Sequence, residues 1–114
     1  MNTHYHSDTI VALSTPQGVG AIGVIRLSGA DAVAIVQRVF KGKDLRQQQS
    51  HTLHFGYLMQ NDKVLDEVVV SLFLAPSSYT KENVVEISCH GSPYIQQKII
   101  ELLIDQGARP AKPG

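Results

Sequence analysis

One cysteine, no tryptophan and no excess of charge of either sign limit what this 114-residue chain can be. Cys89 alone excludes an internal disulfide and suits a reducing compartment; on the apolar side of a strand it reads as core, not as a nucleophile. Ten basic residues balance ten acidic ones, and no run of lysines and arginines makes the footprint of a nucleic-acid binder. Any contact with RNA has to be supplied from outside this chain. No apolar run is long enough to span a bilayer and no signal peptide opens the sequence, so the expected protein is soluble and cytoplasmic, with no membrane partner. Repeats and low-complexity segments are absent as well. His4 and His6 lie in a polar stretch, Met1 to Ser7, that reads as a disordered terminus rather than a metal site. What is left is one domain, or a fragment of a larger protein, of a size at which folding hides roughly two-thirds of the unfolded surface.

The rest of the chain is placed against Val84 to Pro93, which reads as a strand running through a tight turn into a helix. Val85, Ile87 and Cys89 alternate with Glu86, Ser88 and His90, so one side is core and the other sets a carboxylate, a hydroxyl and an imidazole in a row. Gly91 permits the turn, Ser92 suits the N-cap and Pro93 the first helical position. That row leads to a helix start, where anions are favoured, so it is a candidate ligand face; a plain strand–turn–helix corner with a polar side fits the same residues.

In chain order, Asp8 to Ser14 and Ala21 to Leu27 predict two strands paired as a hairpin across Thr15 to Gly20. Gly18, Gly20 and Gly23 satisfy a G-x-G-x-x-G spacing, but Gly23 to Leu27 has strand rather than helix propensity, so a glycine-rich hairpin loop is preferred to a dinucleotide turn. Its backbone N–H groups remain available to line a pocket. Ser28 as N-cap and Asp31 in a capping box open a helix with a stripe of Ala32, Ile35, Val36 and Val39, ending at Gly42. After a polar connection, His51 to Met59 alternates, with Leu53, Phe55, Tyr57 and Met59 on one face, and returns through a turn as Val64 to Leu74. Val68 to Leu74 is apolar at nearly every position, which predicts a central strand covered on both faces. The loop Ala75 to Asn83, with Tyr79 beside hydroxyls, either flanks a ligand or is a solvated connection. Ile95, Ile99, Leu102 and Leu103 form the stripe of the last helix, closed by Gly107; Ala108 to Gly114 is too short and proline-rich to complete an element and reads as the start of something longer. The class is α+β: a mixed sheet of about five strands, two hairpins plus the Glu86 strand, with two helices on it, over residues 8–114.

Several segments, in this order, resemble the N-terminal domain of the MnmE (TrmE) family of tRNA-modification GTPases: Asp8 to Ala12, Thr15 to Gly23, Ile25 to Gly29, Ala75 to Thr80, Val85 to Ile87, His90-Gly91 and Pro113-Gly114. The resemblance implies a fold like the tetrahydrofolate-binding domain of the glycine-cleavage T-protein. It also implies homodimerisation through this domain and binding of 5-formyltetrahydrofolate, or 5,10-methylenetetrahydrofolate, near the dimer interface. The family's full protein adds a helical domain and a GTPase using GTP, Mg2+ and K+. With the FAD-dependent partner MnmG it modifies the wobble uridine of tRNA, installing 5-aminomethyl-type groups. This chain has no Gly-Lys-Ser/Thr P-loop and no family C-terminal cysteine motif, so it is not expected to be catalytic alone.

Two of the family's folate contacts fall on matching positions, Arg26 and Glu86; Gly18, Gly20, Tyr79 and His90 are further candidates. A pterin's adjacent N–H and amino groups suit a carboxylate such as Glu86, and Arg26 offers a planar donor fork. Alternatively Arg26 and Glu86 pair with each other across the sheet. The chain departs from the family pattern at Val19, at Lys81-Glu82-Asn83 and at Ser92, and a further folate-contacting lysine of the family lies past Gly114. Two rival functions remain: a folate-dependent one-carbon transferase of the T-protein type, with His90 as the nearby acid–base residue, and a purely structural dimerisation domain.

Overall fold

The computed structural model describes residues 8–15, 20–78 and 81–111. Alternation and turn chemistry produce most of its elements. These are β1 (Ile10–Leu13), β2 (Ile22–Ser28), α1 (Ala32–Gln37), β3 (Phe40–Lys41), β4 (Thr52–Gln60), β5 (Lys63–Phe73), β6 (Val84–His90), α2 (Pro93–Asp105) and β7 (Arg109–Pro110). The strands form one sheet in the order β3-β4-β5-β6-β2-β1-β7. All pairings are antiparallel except β1 with β7, so the sheet is mixed and the class is α+β.

Seven strands stand where about five were expected. The two extra ones are two-residue edge strands, too short to leave a periodic signal in the sequence. β7 falls in the tail read as too short to complete an element; Arg109 and Ala111 donate their backbone N–H groups to the Thr9 and Val11 carbonyls, at 2.8 and 3.0 Å. β3 explains a second difference. The first helix ends at Gln37, not near Gly42, because Phe40 and Lys41 pair with Leu58 and Tyr57 of β4. Its start differs too: Ser28 closes β2, and Asp31 occupies the N-cap position without a side-chain bond. The backbone N–H of Asp31 instead donates to Thr9 Oγ1 at 3.0 Å. Gly29 holds φ 145° there, against Thr9, where a Cβ would collide.

Both helices lie on one face. Ile25 and Leu27 of β2, Val70 and Leu72 of β5, and Val85 and Ile87 of β6 are fully buried against Ile35 and Val36 of α1 and Ile99 and Leu103 of α2. Each such side chain contributes about 1.5–3 kcal/mol relative to exposure. Ser92 caps α2 by accepting from the Ile95 N–H at 3.4 Å, Pro93 takes the first turn, and Gly107 at φ 115° stops it.

The other face has no helix on it among the described residues. β5 is internal, as its composition predicts, but covered on one side only: Val69 and Phe73 are half-buried on the open face. The alternating face of β4 points the same way, leaving Leu53 70 % and Phe55 61 % exposed.

Candidate functional site

The register fixes what the open face presents. Arg26 stands opposite Glu86, Glu86 opposite Ser71, and Ser71 opposite Leu53. The neighbouring row runs Val24, Ser88, Val69, Phe55. A polar centre therefore adjoins an apolar strip, with Ile22, 65 % exposed, on the β2 side.

The structure brings Arg26 and Glu86 together. The guanidinium donates from Nε at 3.0 Å and from Nη2 at 2.6 Å, both to Glu86 Oε2. Arg26 is 52 % and Glu86 25 % exposed, so the pair is solvated on one side and contributes little to stability. Because both bonds end on one oxygen, Glu86 Oε1 and Arg26 Nη1 have no hydrogen-bond partner among the described residues. A carboxylate oxygen beside a planar cation is a matched acceptor and donor for a heterocycle with a donor edge and a carbonyl.

Four residues along β6, roughly 13 Å away, His90 holds the end of the same face. Its Nδ1 lies 2.5 Å from Asp66 Oδ1, and its backbone N–H donates to Asp66 Oδ2 at 2.9 Å. Beside it is a cleft of about 230 Å³ whose lining includes Ile22, Phe55, Glu67, Val69, Ser88 and His90. Gly20, a further candidate, is exposed, and its carbonyl presses on Gly91, whose N–H donates to Ala21 O at 3.2 Å. A Cβ on Gly91 would overlap the Gly20 carbonyl, so this glycine is required by close approach of two backbones. Gly18 and Tyr79 lie outside the described residues.

Two expectations are decided by position. Gly23 lies inside β2 against Gln96 of α2, so no helix opens at the glycine spacing and a dinucleotide turn is ruled out. Cys89 is buried, and burial first, then the Asp66 charge, push its thiol up to about 11. It is a core residue and no nucleophile.

Asp66 was not singled out from the sequence, and Phe55 was named only as part of the alternating face of His51 to Met59, not as a site residue. Asp66 carries a signal after all: it sits on the inward parity of β5, in line with Val68, Val70 and Leu72, where an acid needs a partner.

These features define a small α+β module with a closed, helix-covered face and an open face that groups polar and apolar residues. The family model described as GTP-binding protein TrmE N-terminus matches residues 9–114, and the chain belongs to that family. Among curated relatives named tRNA modification GTPase MnmE, that of Flavobacterium johnsoniae is 58 % identical over 112 residues, covering 96 % of this chain and 24 % of the relative. That of Cytophaga hutchinsonii is 55 % identical over 109 residues, with 96 % and 24 % covered. That of Streptococcus thermophilus is 52 % identical over 107 residues, with 94 % and 24 % covered. The chain thus spans about a quarter of the length of the relatives it matches.

Proposed function

We propose that this chain is the tetrahydrofolate-binding and dimerisation module of a tRNA-modification GTPase, with a fold like the folate domain of the glycine-cleavage T-protein. The Arg26–Glu86 pair at the centre of the uncovered face supports this most, because one oxygen and one nitrogen remain free beside an apolar floor. Glu86 Oε1 accepts from the pterin's N–H and amino edge, and Arg26 Nη1 donates to a ring carbonyl or to the formyl oxygen. The folate supplies the one-carbon unit that the whole protein uses. Its residues here bind and orient it; the GTP, Mg2+ and K+ chemistry, the FAD-dependent partner MnmG and the wobble uridine of tRNA belong to the assembled protein, which works in the cytoplasm. Among the described residues no helix is long and apolar enough to cross a membrane.

Exposed Leu53, Phe55 and Ile22 support self-association through the same face, since apolar side chains this open seldom stay uncovered. A purely structural dimer module would keep that strip and have no use for the free atoms of the Arg26–Glu86 pair.

Calorimetric titration with 5-formyltetrahydrofolate tests the reading. Saturable binding to the intact protein that Arg26→Ala or Glu86→Ala weakens at least about tenfold, roughly 1.4 kcal/mol, is expected. Unaltered affinity in both variants contradicts the assigned site.

A further inference from the structure

The polar end of the cleft is built around a buried acid. Asp66 is 8 % exposed, on the side of β5 that otherwise buries Val68, Val70 and Leu72. A carboxylate in such a place is costly unless both oxygens are satisfied. Both are given to one residue: Oδ2 accepts the His90 backbone N–H, and Oδ1 lies 2.5 Å from His90 Nδ1. Accepting from Nδ1 fixes the tautomer and the ring plane. Nε2 is then left without a partner among the described residues, on a side chain that is 64 % exposed and lines the cleft. The same arrangement ties the end of β6 to β5 beyond the last paired residues, Val69 and Ser88. A backbone tie needs only one of the two bonds; the second one orients a ring.

We propose that His90, aimed by Asp66, is the anchor for the carboxylate tail of the folate whose pterin lies at Arg26 and Glu86, an inference that rests on the folate reading above. The two sites share β6 and are roughly 13 Å apart along it. Between them Val24 and Val69 flank Ser88 in one row, a floor suited to the aminobenzoyl ring that joins pterin to tail. Binding of the tail takes up one proton at Nε2, so that the ring donates Nδ1–H to Asp66 and Nε2–H to the tail, a charge-assisted pair of the stronger kind. Glu67 lines the same cleft, so the tail carboxylate is received at His90 Nε2 and not along β5. The positive end of α2, capped by Ser92 two residues on, adds to the same field.

The test compares two ligands on the intact protein: 5-formyltetrahydrofolate, and 5-formyl-6-methyltetrahydropterin, which has the pterin and no tail. His90→Gln is expected to weaken the folate about tenfold and to leave the tailless pterin unchanged. Glu86→Gln is expected to weaken both. Equal loss of both ligands in His90→Gln, or no loss of either, overturns the assignment while the folate reading stands. If the unaltered protein binds neither ligand, the folate reading itself fails and this inference goes with it. Asp66→Asn separates aiming from bulk: an intermediate loss confined to the tailed ligand supports the positioning role, and a loss shared by both ligands contradicts it.

Discussion

The two faces of one sheet are built from the same strands by the same alternation, yet they differ in nearly every physical respect. On the helix-covered face Ile25, Leu27, Val70, Leu72, Val85 and Ile87 are wholly or almost wholly removed from water. On the other, side chains of comparable size, Ile22, Leu53 and Phe55, stay more than half exposed beside the Arg26–Glu86 pair and His90. Hydrophobicity alone does not tell the faces apart. What distinguishes them is which parity the two helices cover and where polar groups with spare bonding capacity gather. The covered face makes the core, and the open face leaves its apolar side chains in solvent.

Substitutions sharpen that contrast, beginning with the largest effect. Ile87→Ala, at the centre of the covered face, is expected to cost about 3 kcal/mol in chemical denaturation, since it deletes buried methyl groups and leaves a cavity. Gly91→Ala is expected to cost about 2 kcal/mol in the same assay, because the new Cβ has to displace the Gly20 backbone at the turn between β6 and α2. Phe55→Ser on the open face is expected to change unfolding by less than about 0.5 kcal/mol and to shift light-scattering mass towards the monomer. A loss from Phe55→Ser as large as that from Ile87→Ala would erase the distinction between the faces.

A pH dependence tests the covered face in a different way. Cys89 holds its proton up to about 11, above the ordinary thiol value of 9.0. Between those values the unfolded chain releases a proton that the folded chain keeps. The unfolded state then binds fewer protons, and stability falls as pH rises through this window. Comparing denaturation midpoints of the protein and Cys89→Ala across pH 8 to 11 isolates the effect. At pH 8, well below the window, iodoacetamide is expected to label Cys89 only at the rate of unfolding.

Much of this was legible in the chain itself. The alternation of Val84 to His90, the Ser92-Pro93 start and the Gly107 stop foretold β6 and α2, and with them the polar row of Glu86, Ser88 and His90. These signals are local, and local physics decides them. The edge strands were not legible, because two residues carry no period and their partners lie far along the chain, Phe40 against Leu58 and Arg109 against Ile10. Nor was the covering of β4. Its alternation separates Leu53 and Phe55 from His54 and Leu58, but only the placement of the helices decides that His54 and Leu58 go inside. Asp66 as the partner of His90 is a contact across 24 residues, set by the β5–β6 register and by nothing near either residue.

The most direct test of the claim that function resides on the open face is a methyl-resolved NMR titration with 5-formyltetrahydrofolate. Saturable shifts are expected at Ile22, Val24 and Val69, with Ile99 and Leu103 of α2, on the covered side, unmoved. Shifts centred on the covered face, or a uniform response of both faces, would contradict it.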